Sequence, residues 1–238
     1  MLVGRDTERR VLRRVVNEAH AGRGGAVALI GEPGIGKSAL LEDLASGITG
    51  LSVLRARGVV TEARVPFAGL LQLLRPVLDV IGELPPRQAA VMEGALALGP
   101  ATSRDRFAVG AATLGLLSAC AERHTVVLVL DDAHWLDAST MEAVLFAVRR
   151  VERDRIAAIV TARPGSAPAL EAAGLPTLTL AGIDAVAARE LVRGDGQPSL
   201  DDDAFARLYA ATAGNPLALL ELAGEGAPAL GGGPAGAP

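Results

Sequence analysis

The chain has 238 residues, half of them apolar and 21% charged. That is a globular composition, long enough for one large α/β domain with a small satellite, and it excludes an intrinsically disordered chain. The formal net charge of −4 argues against a nonspecific grip on nucleic acid, which requires many cations set against phosphates.

In chain order, MLVGRDTERR carries no apolar signal region. Val11, Leu12, Val15, Val16 and Ala19 then form one helical stripe, with Asp6 or Thr7 placed to cap it. A strand over Ala26–Ile30 runs into GEPGIGKS at 31–38, and a helix striped by Leu40, Leu41, Leu44 and Ile48 runs out. Ser52–Ala56 reads as a second strand.

Residues 62–121 read as a mostly helical insertion, broken near Pro85-Pro86 and Gly99-Pro100. Within it, the uncharged run Phe107–Ala121 is shorter than the roughly 20 residues that span a bilayer. No membrane partner is expected, and a cytoplasmic protein follows. Cys120 is the only cysteine, so no intrachain disulfide forms. Its apolar neighbours make it a buried small hydrophobe.

Val126–Leu130 is apolar on both faces, as a covered interior strand must be. A helix striped by Met141, Val144, Leu145 and Val148 follows, with Asp137 as its N-cap. Ile156–Thr161 and Thr177–Leu180 complete five strands alternating with helices, the signature of a parallel sheet with crossovers. The arginine clusters at 9–14 and 149–155 read as solvated helix faces. The expected division is an α/β core at 1–181, a helical lid at 182–223 and a Gly/Ala/Pro-rich tail or linker at 224–238.

The 23 lysines and arginines include a single lysine, Lys37, and it lies inside the pattern G-x-x-x-x-G-K-[ST]. Between a strand and a helix, such a loop turns its backbone N–H groups around a phosphate at the helix's positive end. Lys37 would reach the β- and γ-phosphates, and Ser38 would offer an oxygen to Mg²⁺. The cofactor-binding candidates here are Gly31, Pro33, Gly34, Ile35, Gly36, Lys37, Ser38 and Ala39. Arginine's planar fork is too wide for a pocket built around a compact ammonium. A bias toward arginine would therefore spare this one position.

Val126–Leu130 ends in Asp131-Asp132, the Walker B form. Asp131 would share the Mg²⁺ shell with Ser38, and Asp132 would orient or deprotonate the attacking water. His134 either senses the γ-phosphate or a neighbouring subunit, or packs the loop into the next helix. Arg163, at the end of its strand, would face the γ-phosphate as charge develops. Lys37, Asp132 and Arg163 are the catalytic candidates. Gly214-Asn215-Pro216 has a complete local explanation, in which Gly stops one helix, Asn caps the next and Pro fits its first turn.

Taken together, LVGRDTE, GEPGIGKS, VLVLDDAHWLD, TARP and GNPLAL resemble the nucleotide-binding domain of the large ATP-binding LuxR-type transcriptional regulators. These sit in the STAND branch of AAA+-like P-loop ATPases, and the resemblance covers roughly residues 2–222. The P-loop is generic, whereas DDAHWLD with the N-terminal VGR is more specific. The resemblance implies a P-loop NTPase fold, with a five-stranded parallel sheet sandwiched by helices, the P-loop strand central, and a helical lid. It implies ATP/ADP and Mg²⁺ as cofactors, with Val3, Gly4 and Arg5 beside the adenine. It makes Arg163 the sensor arginine and Pro216 the lid proline that packs on the base.

Family members continue into winged-helix, repeat and helix-turn-helix domains, so direct nucleic-acid binding is not expected of these residues. The implied function is a slowly hydrolysing regulatory switch, capable of ATP-dependent self-association. The alternatives are a small-molecule kinase or a DNA-associated AAA+ ATPase. Residues 195–222 carry only Arg207 as a phosphate clamp, against the acidic run Asp201–Asp203, which disfavours the kinase.

Overall fold

The computed structural model describes residues 2–47, 50–99, 105–194 and 200–224. Helix α1 (Asp6–His20) precedes β1 (Gly25–Gly31) and α2 (Lys37–Ser46), and β2 (Ser52–Arg57) follows. The insertion contains α3 (Ala68–Leu74), a 3₁₀ segment (Arg75–Glu83) kinked at Val77, α4 (Pro86–Ala95) and α5 (Arg106–Arg123). The chain re-enters the sheet at β3 (Val126–Asp131), then forms a short 3₁₀ turn (Ala133–Trp135), α6 (Ala138–Val148) and β4 (Ile156–Ala162). A four-residue α7 (Pro168–Glu171) leads to β5 (Thr177–Leu180), and α8 (Ala185–Gly194), α9 (Asp202–Thr212) and α10 (Pro216–Gly224) close the described chain.

All strand pairs are parallel, in the order β2-β3-β4-β1-β5. The expected α/β architecture, a five-stranded parallel sheet between helices, is the one observed. The strand before the P-loop is not the middle one, as the resemblance implied. It lies one place off centre, between β4 and β5. The middle belongs to β4, whose IAAIVTA is buried at every position. Small alanines there let helices approach from both faces.

One face packs the insertion helices and α6 around Leu54, Leu128, Leu130, Leu116 and Val144. The other packs α1 and α2 around Leu12, Leu29, Leu40 and Ile159. Leucine, valine and alanine dominate both layers, as the scarcity of aromatics requires. The last three helices gather around a separate small core of Ile183, Ala188, Phe205, Leu208 and Leu219, with Val3 packed against it. Among the described residues no helix is long and apolar enough to cross a membrane. The tail from 225 lies outside the described residues, as do Ile48 and Pro100.

Helix α1 starts at Asp6, one or two residues before the expected caps would allow, so Asp6 and Thr7 lie inside it and neither caps it. Arg5 holds the N-cap position and makes no side-chain cap bond, because a guanidinium has only donors and cannot accept from the helix's first N–H groups. Asp137 does cap α6, accepting from Thr140 N at 2.9 Å. It also accepts from Phe67 N at 2.8 Å and Gly69 N at 3.2 Å. One buried carboxylate thus supplies the N-termini of two helices.

Candidate functional site

In a parallel sheet the strand ends that face one way form a crevice where the chain changes direction. Here β1 is followed by β2 at the far edge, and the crevice opens at the C-terminal ends of β1, β3 and β4. A cavity of about 290 Å³ lies there, lined by Pro33, Gly34, Lys37, Asp132, Arg163 and Leu217, among others. A second of about 220 Å³ adjoins it past Ser38 and Asp131, toward Arg55 and Arg57 of β2.

The loop 31–36 needs glycine where it turns. Gly34 has φ +75° and Gly36 φ +100°, a left-handed conformation that side chains resist. Gly36 is the N-cap of α2, so the helix's unpaired N–H groups open toward the cavity. Lys37 is 6% exposed, and its Nζ donates to Gly31 O at 2.8 Å and Glu32 O at 3.0 Å. The ammonium is therefore folded back on the loop. Burial, more than any neighbour, lowers its pKa from the ordinary 10.5; Asp132 opposes this and Arg163 adds to it. An anion in the cavity would relieve that strain on the charged form.

Ser38 Oγ donates to Asp131 Oδ2 at 2.7 Å. A serine and one carboxylate form the hard oxygen set that Mg²⁺ uses when phosphate oxygens and waters fill the rest, so these residues fit the ion. Asp132 has φ +50°, a conformation uncommon outside glycine and the short polar residues, and worth attention at a site. It turns the chain straight from β3 into the 3₁₀ segment. Its Oδ2 stands 3.7 Å from Arg57 Nη2 at the end of the edge strand. Arg163 is exposed and lines the cavity with Lys37 and Asp132.

His134 sits one turn on, its ring 5.2 Å from Trp135. Both ring nitrogens are buried without a hydrogen-bond partner among the described residues. Burial lowers its pKa, against the pull of Asp132.

The remaining candidates lie on the other side of the loop. Val3 packs on the core of the C-terminal helices. A Cβ at Gly4 would stand 2.6 Å from Ala187 Cβ, so the segment lies directly on α8. Arg5 is 3% exposed. Its guanidinium donates to Ile35 O at 2.8 Å, Ala181 O at 2.7 Å and Glu8 Oε1 at 3.0 Å. This side chain ties the P-loop to the strand exit leading into α8. Pro216 begins α10 beside the loop, and Ala39 is exposed on the first turn of α2.

Two further residues belong with these. Thr161, wholly buried on β4, donates to Asp131 Oδ1 at 2.6 Å and accepts from Asp132 N at 2.9 Å. It fixes both acidic residues, and a lone hydroxyl in the fully buried IAAIVTA was its sequence signal. Asn215 Nδ2 donates to Pro33 O at 2.9 Å across the loop. Its evident role as a helix cap hid that second bond.

The family model described as AAA ATPase domain matches residues 1–160 of the chain. Among curated proteins no sequence matches. Solved structures resemble it at low identity. The FIGL-1 AAA domain in complex with ADP is 15% identical, with a TM-score of 0.55, over 94% of this chain and 70% of that one. The Drosophila origin recognition complex bound to DNA gives 17% and 0.58, over 93% and 54%. A STAND signal-transduction ATPase with a tetratricopeptide-repeat sensor from Pyrococcus horikoshii gives 18% and 0.51, over 87% and 28%. At these identities the likeness is one of fold.

Proposed function

The chain belongs to the AAA ATPase domain family, and on that footing we propose that it is a nucleotide-operated switch that binds ATP and ADP with Mg²⁺ and hydrolyses ATP slowly. What carries this reading is the meeting of Lys37, Asp132 and Arg163 around one cavity beside the hydrogen-bonded pair Ser38–Asp131. The loop amides and Lys37 bind the phosphates, and Ser38 and Asp131 take the metal. Asp132 orients the attacking water, while Arg163 meets the charge that develops on the γ-phosphate. Val3, Gly4, Arg5 and Pro216 form the base-side wall, where residues 182–223 act as the lid of the core at 1–181.

The wider role is that of the ATPase module of a signal-responsive transcriptional regulator of the LuxR type. It rests on the LVGRDTE, DDAHWLD and GNPLAL motifs and on the fold shared with a sensor-bearing STAND ATPase. ATP and ADP favour different lid positions, and their differential affinity moves the equilibrium between them. ATP-dependent self-association belongs to the same reading. Asp132→Asn should keep Mg-ATP affinity within about twofold while lowering turnover by a factor on the order of 100. Full turnover in that variant, or phosphate transfer to an added small-molecule acceptor, would overturn this assignment.

A further inference from the structure

The cap explanation of Gly214-Asn215-Pro216 accounts for only one end of the Asn215 side chain. Its Oδ1 accepts from Leu217 N at 3.1 Å and Ala218 N at 3.3 Å, satisfying the first N–H groups of α10. Its Nδ2 turns the other way and donates to Pro33 O at 2.9 Å, from 182 residues along the chain. Leu217 N adds a bond to Gly34 O at 3.2 Å. The fit is tight. A Cβ on Gly34 would stand 2.7 Å from Leu217 Cβ and 2.9 Å from Asn215 Oδ1.

A cap alone does not need an amide. Serine or aspartate would supply the acceptor equally well, yet neither offers a donor that reaches the loop. Among the described residues, Asn215 is thus the one side chain that bonds both the start of α10 and the apex of the P-loop. The apex carbonyls of Pro33 and Gly34 cannot move without either dragging α10 or breaking these bonds.

From this we infer that Asn215 is a positioning residue that latches α10 to the P-loop, so that lid position and the hold on nucleotide change together. The inference rests on the switch reading above. With ADP bound, the latch keeps the lid down and slows release. A nucleotide or partner that shifts the loop apex frees α10 and leaves the Leu217 amide with only its cap bond to Asn215 Oδ1.

Asn215→Ser separates the two jobs, because it stays neutral and keeps a capping oxygen, while its shorter side chain brings no donor within reach of Pro33 O. Asn215→Asp keeps the cap and sets an acceptor against Pro33 O. Two readouts apply to each variant: dissociation of a fluorescent ADP analogue, and backbone amide exchange at 31–39 and 215–219 in nucleotide-free protein. Loss of one neutral hydrogen bond should speed release roughly threefold to tenfold. Exchange at Leu217 should accelerate as well, with the thermal midpoint close to that of the wild type.

Release changed by less than twofold in both variants overturns the coupling, even if exchange at Leu217 rises. If the wild type holds no nucleotide, the switch reading itself fails and exchange alone decides the contact. Faster exchange at Leu217 then supports the latch, and unchanged exchange overturns it.

Discussion

Thr161→Val removes one hydroxyl from a fully buried strand position. That hydroxyl donates to Asp131 Oδ1 at 2.6 Å and accepts from Asp132 N at 2.9 Å. Asp132 N keeps a second, longer bond to the same carboxylate oxygen, at 3.1 Å, so it is not orphaned. The loss is therefore mainly that of a hydrogen bond to a charged acceptor, about 2 kcal/mol. That is roughly a 30-fold change in the folding equilibrium. Urea unfolding should show the lower midpoint with an unchanged slope. A freed Asp131 should also weaken Mg-ATP binding more than binding of ADP without metal. Thr161→Ser, which keeps the hydroxyl, should restore most of both. A valine variant within about 0.5 kcal/mol of the wild type and with an unaltered metal dependence would refute the role given to Thr161.

Arg5→Met should destabilise the protein by about 3 kcal/mol in urea, because it strips donors from Ile35 O and Ala181 O and leaves Glu8 unpaired. Arg5→Lys should recover only part, since one ammonium cannot span all of these acceptors. Asp137→Ala should cost about 2–4 kcal/mol by uncapping α3 and α6 together. Lys37→Arg should lose ATP binding in a titration while staying folded by circular dichroism. Burial raises the Cys120 thiol above its ordinary 9.0. The unfolded chain therefore gives up this proton first as pH rises, and folded stability should fall above about pH 9. Cys120→Ala should show less of that alkaline loss, and a thiol reagent should label the native protein only as it unfolds.

The strands were legible because each is a short apolar run bounded by turns, and every one formed within a residue of its predicted limits. The P-loop and the Asp131-Asp132 pair were legible because their chemistry fixes both residue type and spacing. Strand order was not. Which neighbour β1 takes depends on helices packing both faces of the sheet, and nothing local in AVALI records it. Side chains with two jobs were the other blind spot. Asn215 and Asp137 each have a sufficient local role as a cap, so the sequence gives no reason to seek their long-range bonds. Arg5 shows the converse. The pattern after it pointed to Asp6 or Thr7 as the cap, whereas Arg5 itself takes the N-cap position and its guanidinium bonds Ile35 O and Ala181 O far along the chain. The arginine clusters read as solvated include a structural one. Arg9 makes a bidentate pair with Asp43 at 2.8 and 3.0 Å, joining α1 to α2.

The most direct test of the switch is the nucleotide content of protein purified without added nucleotide. The protein is denatured, and whatever it releases is identified by ion-exchange chromatography, with Lys37→Ala prepared in parallel. Near-stoichiometric ADP from the wild type and none from the variant is the predicted result. An empty wild type that also fails to bind added Mg-ATP would contradict it.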